Sequence, residues 1–64
     1  MTLQQMLQWG AGWLKEREVP EADLNAWYLL ADCFQMERSG YFLHQEEEAD
    51  AGKEKKFRQM IETV

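Results

Sequence analysis

The chain has 64 residues, with seven Lys and Arg against twelve Asp and Glu, so its formal net charge is −5. A chain of this length forms a single domain and has no room for a doubly wound nucleotide-binding fold, because it buries only about 60% of the surface that its unfolded form exposes. The acidic balance also argues against nucleic acid or an anionic membrane as the partner, since both are bound through clustered Lys and Arg.

The first predicted helix covers residues 2–18. Thr2 and Gln5 have the spacing of a capping box, in which each side chain accepts a hydrogen bond from the other residue's backbone N–H. The helix ends before Pro20, because the residue preceding a proline avoids helical geometry. Its apolar stripe contains Leu3, Met6, Leu7, Gly10 and Leu14. The glycine within this stripe predicts that another helix approaches closely there.

The second predicted helix, residues 21–35, is apolar nearly all round, which indicates a central position with neighbours on two sides. Glu21 and Asp23 are well placed for the positive end of its dipole. One stripe holds Leu24, Trp27, Tyr28, Ala31 and Phe34, and a second holds Ala26, Leu29, Leu30 and Cys33. We expect both stripes, including Trp27 and Tyr28, to lie in the core.

A short third helix is predicted over residues 37–44, where Gly40 limits it to two turns that could not stand alone. Tyr41, Phe42 and Leu43 are expected to enter the core together with Met36. The residues after this helix, 45–49, include three consecutive glutamates and are interpreted as a solvated connection.

The fourth predicted helix covers residues 50–63, with Asp50 as its N-cap. Its apolar face contains Phe57, Met60, Ile61 and Val64. Glu54 and Arg58 are ordered correctly for an i, i+4 ion pair. Four helices joined by short loops, with few β-branched residues available for strands, predict an all-α fold: a small orthogonal or antiparallel bundle, forming one monomeric domain over residues 1–64.

The sequence offers little for catalysis. Cys33 is the only cysteine, so no internal disulfide can form and a reducing compartment, the cytoplasm, is expected. Because Cys33 lies on an apolar helix face, it is interpreted as a core residue and not as a nucleophile paired with His44. The glycines lack the spacing of a phosphate loop, and the acidic run lacks that of a calcium loop. We assign no catalytic, cofactor-binding or metal-binding residue.

No segment is predicted to be a signal peptide or a transmembrane helix, because the longest apolar run covers only residues 26–31. The candidate functional residues are Trp9 and Trp13, one turn apart beside the apolar stripe of the first helix. They are edge-of-core residues or a docking surface for another domain or protein, since tryptophan is enriched in binding hot spots.

The order of the residues resembles a known family. The matching stretches are TLQQMLQWGAGWL, VPEADLNAWYLLADCF, ERSGYFLHQ and DAGKEKKFRQMIE. Together they resemble the N-terminal domain of the bacterial peptide chain release factor glutamine methyltransferases, the HemK/PrmC family. The family's opening Thr-Leu and central Gly match Thr2, Leu3 and Gly10, and its Leu-Asp/Asn-Ala motif matches residues 24–26.

The resemblance implies a helical domain that precedes an S-adenosylmethionine-dependent catalytic domain and helps to hold the protein substrate. That substrate is a class I release factor, whose Gly-Gly-Gln glutamine is methylated on its side-chain amide. The chain departs from the family in lacking the Gly-rich cofactor motif and the Asn-Pro-Pro-Tyr motif; its only proline is Pro20. No catalytic or cofactor residue can therefore be carried over, and the 64 residues alone are not expected to be an enzyme.

The implied partners are the release factor and the parent enzyme's own catalytic domain. Any S-adenosylmethionine would bind in that catalytic domain, which this chain does not contain. The alternative hypothesis is a stand-alone acidic helical adaptor that binds a basic or amphipathic protein partner through its Trp-rich face.

Overall fold

The computed structural model describes all 64 residues and contains four helices and no strand. The helices are α1 (Leu3–Glu16), α2 (Ala22–Phe34), α3 (Arg38–His44) and α4 (Ala51–Thr63). The predicted all-α bundle is confirmed, and each helix lies within one or two residues of its predicted bounds. None of the four helices combines the length and apolar content that crossing a membrane requires.

Helix α1 begins at the predicted capping box. The Thr2 hydroxyl accepts the backbone N–H of Gln5 at 3.1 Å, and the Gln5 side chain accepts that of Thr2 at 2.9 Å. The backbone carbonyls of Gln45 and Glu47 accept two further N–H groups of the first turn. The connection between α3 and α4 therefore exposes the side chains of its three glutamates, as predicted, while its backbone is held against the start of α1.

The core lies between α1, α2 and α4. Its buried members are Leu3, Met6, Ala11, Leu14, Ala22, Ala26, Leu30, Cys33, Tyr41, Phe57 and Ile61. Gly10 is the close-approach point predicted from the sequence, because a Cβ placed there would lie only 2.9 Å from the Phe57 ring and 3.1 Å from Ile61. The absence of a side chain at this position lets α4 pack directly onto the backbone of α1.

Helix α2 buries one of its two apolar stripes and covers the other only in part. The prediction that both stripes lie in the core is wrong for Leu24 and Tyr28, whereas Trp27 and Phe34 are partly buried against the core. Ala22, Ala26, Leu30 and Cys33 face the core, whereas Leu24 is 43% exposed and Tyr28 is 59% exposed. Both α1 and α4 pack against α2. The mostly small side chains on the core-facing side of α2 allow this packing to be close. On the other side of α2, Tyr41 of α3 meets the half-buried Trp27 with ring centroids 5.4 Å apart, and Lys53 of α4 lies over the Phe34 ring.

Helix α3 places only Tyr41 in the core. Phe42 and Leu43, which we predicted to be buried beside it, are 58% and 78% exposed. Three consecutive residues of an α-helix point in directions about 100° apart, so a seven-residue helix that lies on one neighbour can bury only one of them. Met36, just before α3, is partly buried against the core as expected.

The predicted ion pair between Glu54 and Arg58 is absent. The Glu54 carboxylate instead accepts a hydrogen bond from the Met1 ammonium group at 2.7 Å, and Arg58 lies over the ring of Trp9. The N-terminal charge reaches α4 because Met1 runs alongside the loop before that helix, where its carbonyl accepts the Ala49 N–H. A long-range contact has thus replaced the local pair that the spacing favours.

We expect the free energy of unfolding to fall as the pH rises from about 8 to above 10. The hydrogen bond to Glu54 raises the pKa of the Met1 ammonium group above its ordinary value of 8.0. Burial raises the pKa of the Cys33 thiol above 9.0 and that of Tyr41 above 10.0. All three groups hold their protons more tightly when the chain is folded, so their stabilising effect is complete below the ordinary pKa values and is lost at higher pH.

Urea denaturation followed by circular dichroism across this range measures the effect. Acetylating the N-terminal amine should remove the part of the decline that begins near pH 8, because the acetylated chain has no ammonium group at Met1. A free energy of unfolding that rises with pH over this interval would contradict the assignment.

Candidate protein-interaction site

Trp9 and Trp13 lie next to each other on the outer side of α1, partly buried against the core. Their ring centroids are 5.6 Å apart and the rings are tilted by 37°. Trp9 also meets the buried Phe57 edge-on, with centroids 6.4 Å apart. Trp9 is therefore held against α4, Trp13 packs beside Trp9, and both residues remain partly exposed.

A shallow groove of about 280 Å³ runs beside the two indole rings. Its lining consists of Gln8, Trp9, Gly12, Trp13 and Glu16, all from α1. Gly12 is exposed, and a Cβ placed there would have no atom within 4 Å. The groove is therefore open to solvent at this glycine.

An arginine lies over each of the two indole rings that line the groove. The guanidinium carbon of Arg17 lies 4.7 Å from the centroid of the Trp13 ring, and that of Arg58 lies 5.4 Å from the centroid of Trp9. Neither arginine forms an ion pair with a carboxylate. We call this surface, formed by Trp9, Trp13, Arg17 and Arg58 around the groove, the Trp face.

The Trp13 indole N–H is buried and has no hydrogen-bond acceptor within the chain. An unsatisfied buried donor costs about 1–3 kcal/mol, so the ring is held by its packing and by the arginine above it despite this loss. Trp9 and Trp13 thus lie at the margin of the core, and they are also the two aromatic residues that line the exposed groove.

The residues with reactive side chains are not brought together. Cys33 is buried, and its thiol donates to the Lys53 carbonyl at 3.4 Å. His44 is exposed, and its Nδ1 lies 2.5 Å from a carboxylate oxygen of Glu47. No group of three or more His, Cys, Asp or Glu side chains has an arrangement that could hold a metal ion. Cys33 therefore has the core role predicted from the sequence.

A second exposed aromatic surface was missed by the sequence reasoning. Arg38 lies between the rings of Trp27 and Phe42, with its guanidinium carbon 4.5 Å and 5.8 Å from their centroids. The signal that could have found it is the run of three large side chains, Tyr41 to Leu43, in a helix too short to bury them all. This surface has no enclosed groove.

The arrangement on the Trp face is suited to binding and not to bond making. It combines two tryptophans and two arginines with a groove. Tryptophan and arginine are enriched at protein-protein interfaces. No nucleophile with an adjacent base lines the groove.

Comparison with known proteins identifies the family of the chain. A sequence model described as the PrmC N-terminal domain matches residues 5–64. No curated protein and no solved structure gives a significant match. Since the family model covers nearly the whole chain, the chain belongs to the PrmC N-terminal domain family, the helical N-terminal domain of a methyltransferase.

Proposed function

We propose that this chain is the substrate-recognition domain of a protein-(glutamine-N5) methyltransferase that acts on class I peptide chain release factors in the cytoplasm. The observation that carries the proposal is the Trp face, an exposed aromatic groove on a domain of this family. In this function the domain binds the protein substrate, while a separate catalytic domain binds S-adenosylmethionine and transfers the methyl group.

The Trp face supports recognition of a protein over recognition of a small molecule. Its groove of about 280 Å³ is smaller than most small-molecule pockets, which measure about 300–1,000 Å³, and it is open along one side. Two adjacent indole rings provide a large rigid contact area with little loss of side-chain entropy on binding. The size and shape of the groove fit one or two side chains of a folded partner.

Replacing both Trp9 and Trp13 with alanine in the enzyme that carries this domain should raise the KM for intact release factor at least about tenfold, since a hot-spot residue contributes about 2 kcal/mol or more. The rate with a short peptide containing Gly-Gly-Gln should not change, because such a peptide is too short to reach the domain while its glutamine is bound at the catalytic site. Steady-state methylation kinetics with both substrates measure the difference.

A second variant guards against a folding defect, because both tryptophans are partly buried. Gly12→Leu fills the groove from its open side without removing a packing contact, and it should also raise the KM for intact release factor. The matched control is Phe42→Ala with Leu43→Ala, which removes exposed apolar surface from α3. An unchanged KM in both Trp-face variants would contradict the recognition role and favour the stand-alone adaptor.

A further inference from the structure

We infer that the Trp face binds a segment in which an apolar side chain is flanked by carboxylates. This inference rests on the proposed function, and it names the chemical character of the part of the release factor that docks. The domain as a whole is acidic, so attraction between net charges would favour a basic partner. The local arrangement of Arg17 and Arg58 favours the opposite choice.

The two guanidinium groups are available to a partner. Both arginines are exposed and lie over an indole ring. In a chain where acidic residues outnumber basic ones, neither forms an ion pair. A guanidinium group that stacks on an aromatic ring keeps the N–H groups at its edge free, and these donors match the two oxygens of a carboxylate.

The nearby acids do not occupy these donors. Glu54, one turn before Arg58, is held by the Met1 ammonium group, and Glu62, one turn after it, makes no ion pair. Glu16 lines the groove beside Trp13 without contacting Arg17 as an ion pair. The guanidinium group over each indole ring therefore has no carboxylate within ion-pair distance.

An apolar side chain between the two carboxylates completes the match. It would enter the groove beside Gly12 and contact the indole rings, and this contact would remove water from the two guanidinium groups that lie over those rings. A partner that placed Lys or Arg there would bring like charges together in a partly desolvated contact, which is costly, whereas carboxylates would form charge-assisted hydrogen bonds.

Two designed helical peptides test the inference with the 64-residue chain. They share the same apolar residues, and the positions that flank the central Leu are Glu in one peptide and Lys in the other. We expect the Glu peptide to bind at least about tenfold more tightly, as measured by a change in Trp fluorescence at low ionic strength. Equal binding, tighter binding of the Lys peptide, or no binding of either peptide would overturn the inference.

Charge-reversal variants locate the effect. Arg17→Glu with Arg58→Glu should abolish the preference for the Glu peptide, because both cations are then replaced by anions. Lys15→Glu with Lys56→Glu changes the net charge of the chain by the same amount at exposed positions outside the Trp face, and it should keep the preference. A similar loss in both variants would show that only the net charge matters and would overturn the inference.

Intact release factor separates this inference from the proposed function. If the factor binds the chain and the Arg17→Glu, Arg58→Glu variant binds it equally well, the recognition role stands and the carboxylate preference is wrong. If the Glu peptide binds as expected and the release factor does not bind, the chemistry of the surface stands and the proposed function fails.

Discussion

Replacing Phe57 with alanine is expected to unfold most of the chain at room temperature. The Phe57 ring is fully buried and lies against the α1 backbone at Gly10 and against Trp9. Removing a buried phenylalanine costs about 3–5 kcal/mol. The single core of a domain of this size rarely supplies more than about 3–5 kcal/mol of stability, so the loss is about as large as the total. Urea denaturation followed by circular dichroism measures the loss.

Phe42→Ala is the matched control, since it deletes the same side chain from a position that is 58% exposed. It should change the free energy of unfolding by less than about 1 kcal/mol. Losses of similar size in the two variants would contradict the packing in which Phe57 of α4 is fully buried and Phe42 of α3 is exposed.

Gly10→Leu is expected to destabilise the fold by about 3 kcal/mol or more, although leucine is the better helix former. A Cβ at this position would already lie 2.9 Å from the Phe57 ring and 3.1 Å from Ile61, both of which are fully buried. The larger side chain would therefore force α1 and α4 apart. The shift of the urea midpoint, read by circular dichroism, reports the cost.

The same substitution two residues later should have the opposite sign. At Gly12 a Cβ meets no atom within 4 Å, so Gly12→Leu should raise the free energy of unfolding by up to about 1 kcal/mol through helix propensity alone. If both variants were stabilising, the close contact between α1 and α4 would be wrong.

The helices could be predicted from the sequence because their signals are local. The capping box of Thr2 and Gln5 fixed the start of α1, and Asp50 caps α4 by accepting the Lys53 N–H at 3.1 Å. The role of Gly10 was also predictable, because glycine is unfavourable inside a helix and, within an apolar stripe, indicates that another helix packs closely there. These features depend on spacing along one helix.

The errors concern which faces the neighbours cover. Both apolar stripes of α2 have helical periodicity, and nothing in that periodicity shows that α1 and α4 pack on the same one. The periodicity therefore predicts a buried Tyr28, whereas its side chain is 59% exposed. The loss of the Glu54–Arg58 pair has a similar cause, because the Met1 ammonium group competes for Glu54 from the other end of the chain.

The candidate site was found only in part. The helical spacing of Trp9 and Trp13 predicts that both lie beside the apolar stripe of α1, and the structure confirms this position. The arginines of the Trp face could not be added from the sequence, since Arg58 comes from α4 and reaches Trp9 only after the two helices pack. A contact between a cation on one helix and a ring on another has no fixed spacing in the sequence, so the sequence alone does not predict it.

The proposal that the Trp face recognises a class I release factor can be tested by nuclear magnetic resonance with a ¹⁵N-labelled chain. The chain has three tryptophans, so each indole N–H gives one resonance, and Trp27 on the α2 and α3 side serves as an internal control. Adding unlabelled class I release factor should shift or broaden the resonances of Trp9 and Trp13 and leave that of Trp27 in place. Unchanged resonances at Trp9 and Trp13, or a change confined to Trp27, would contradict the account.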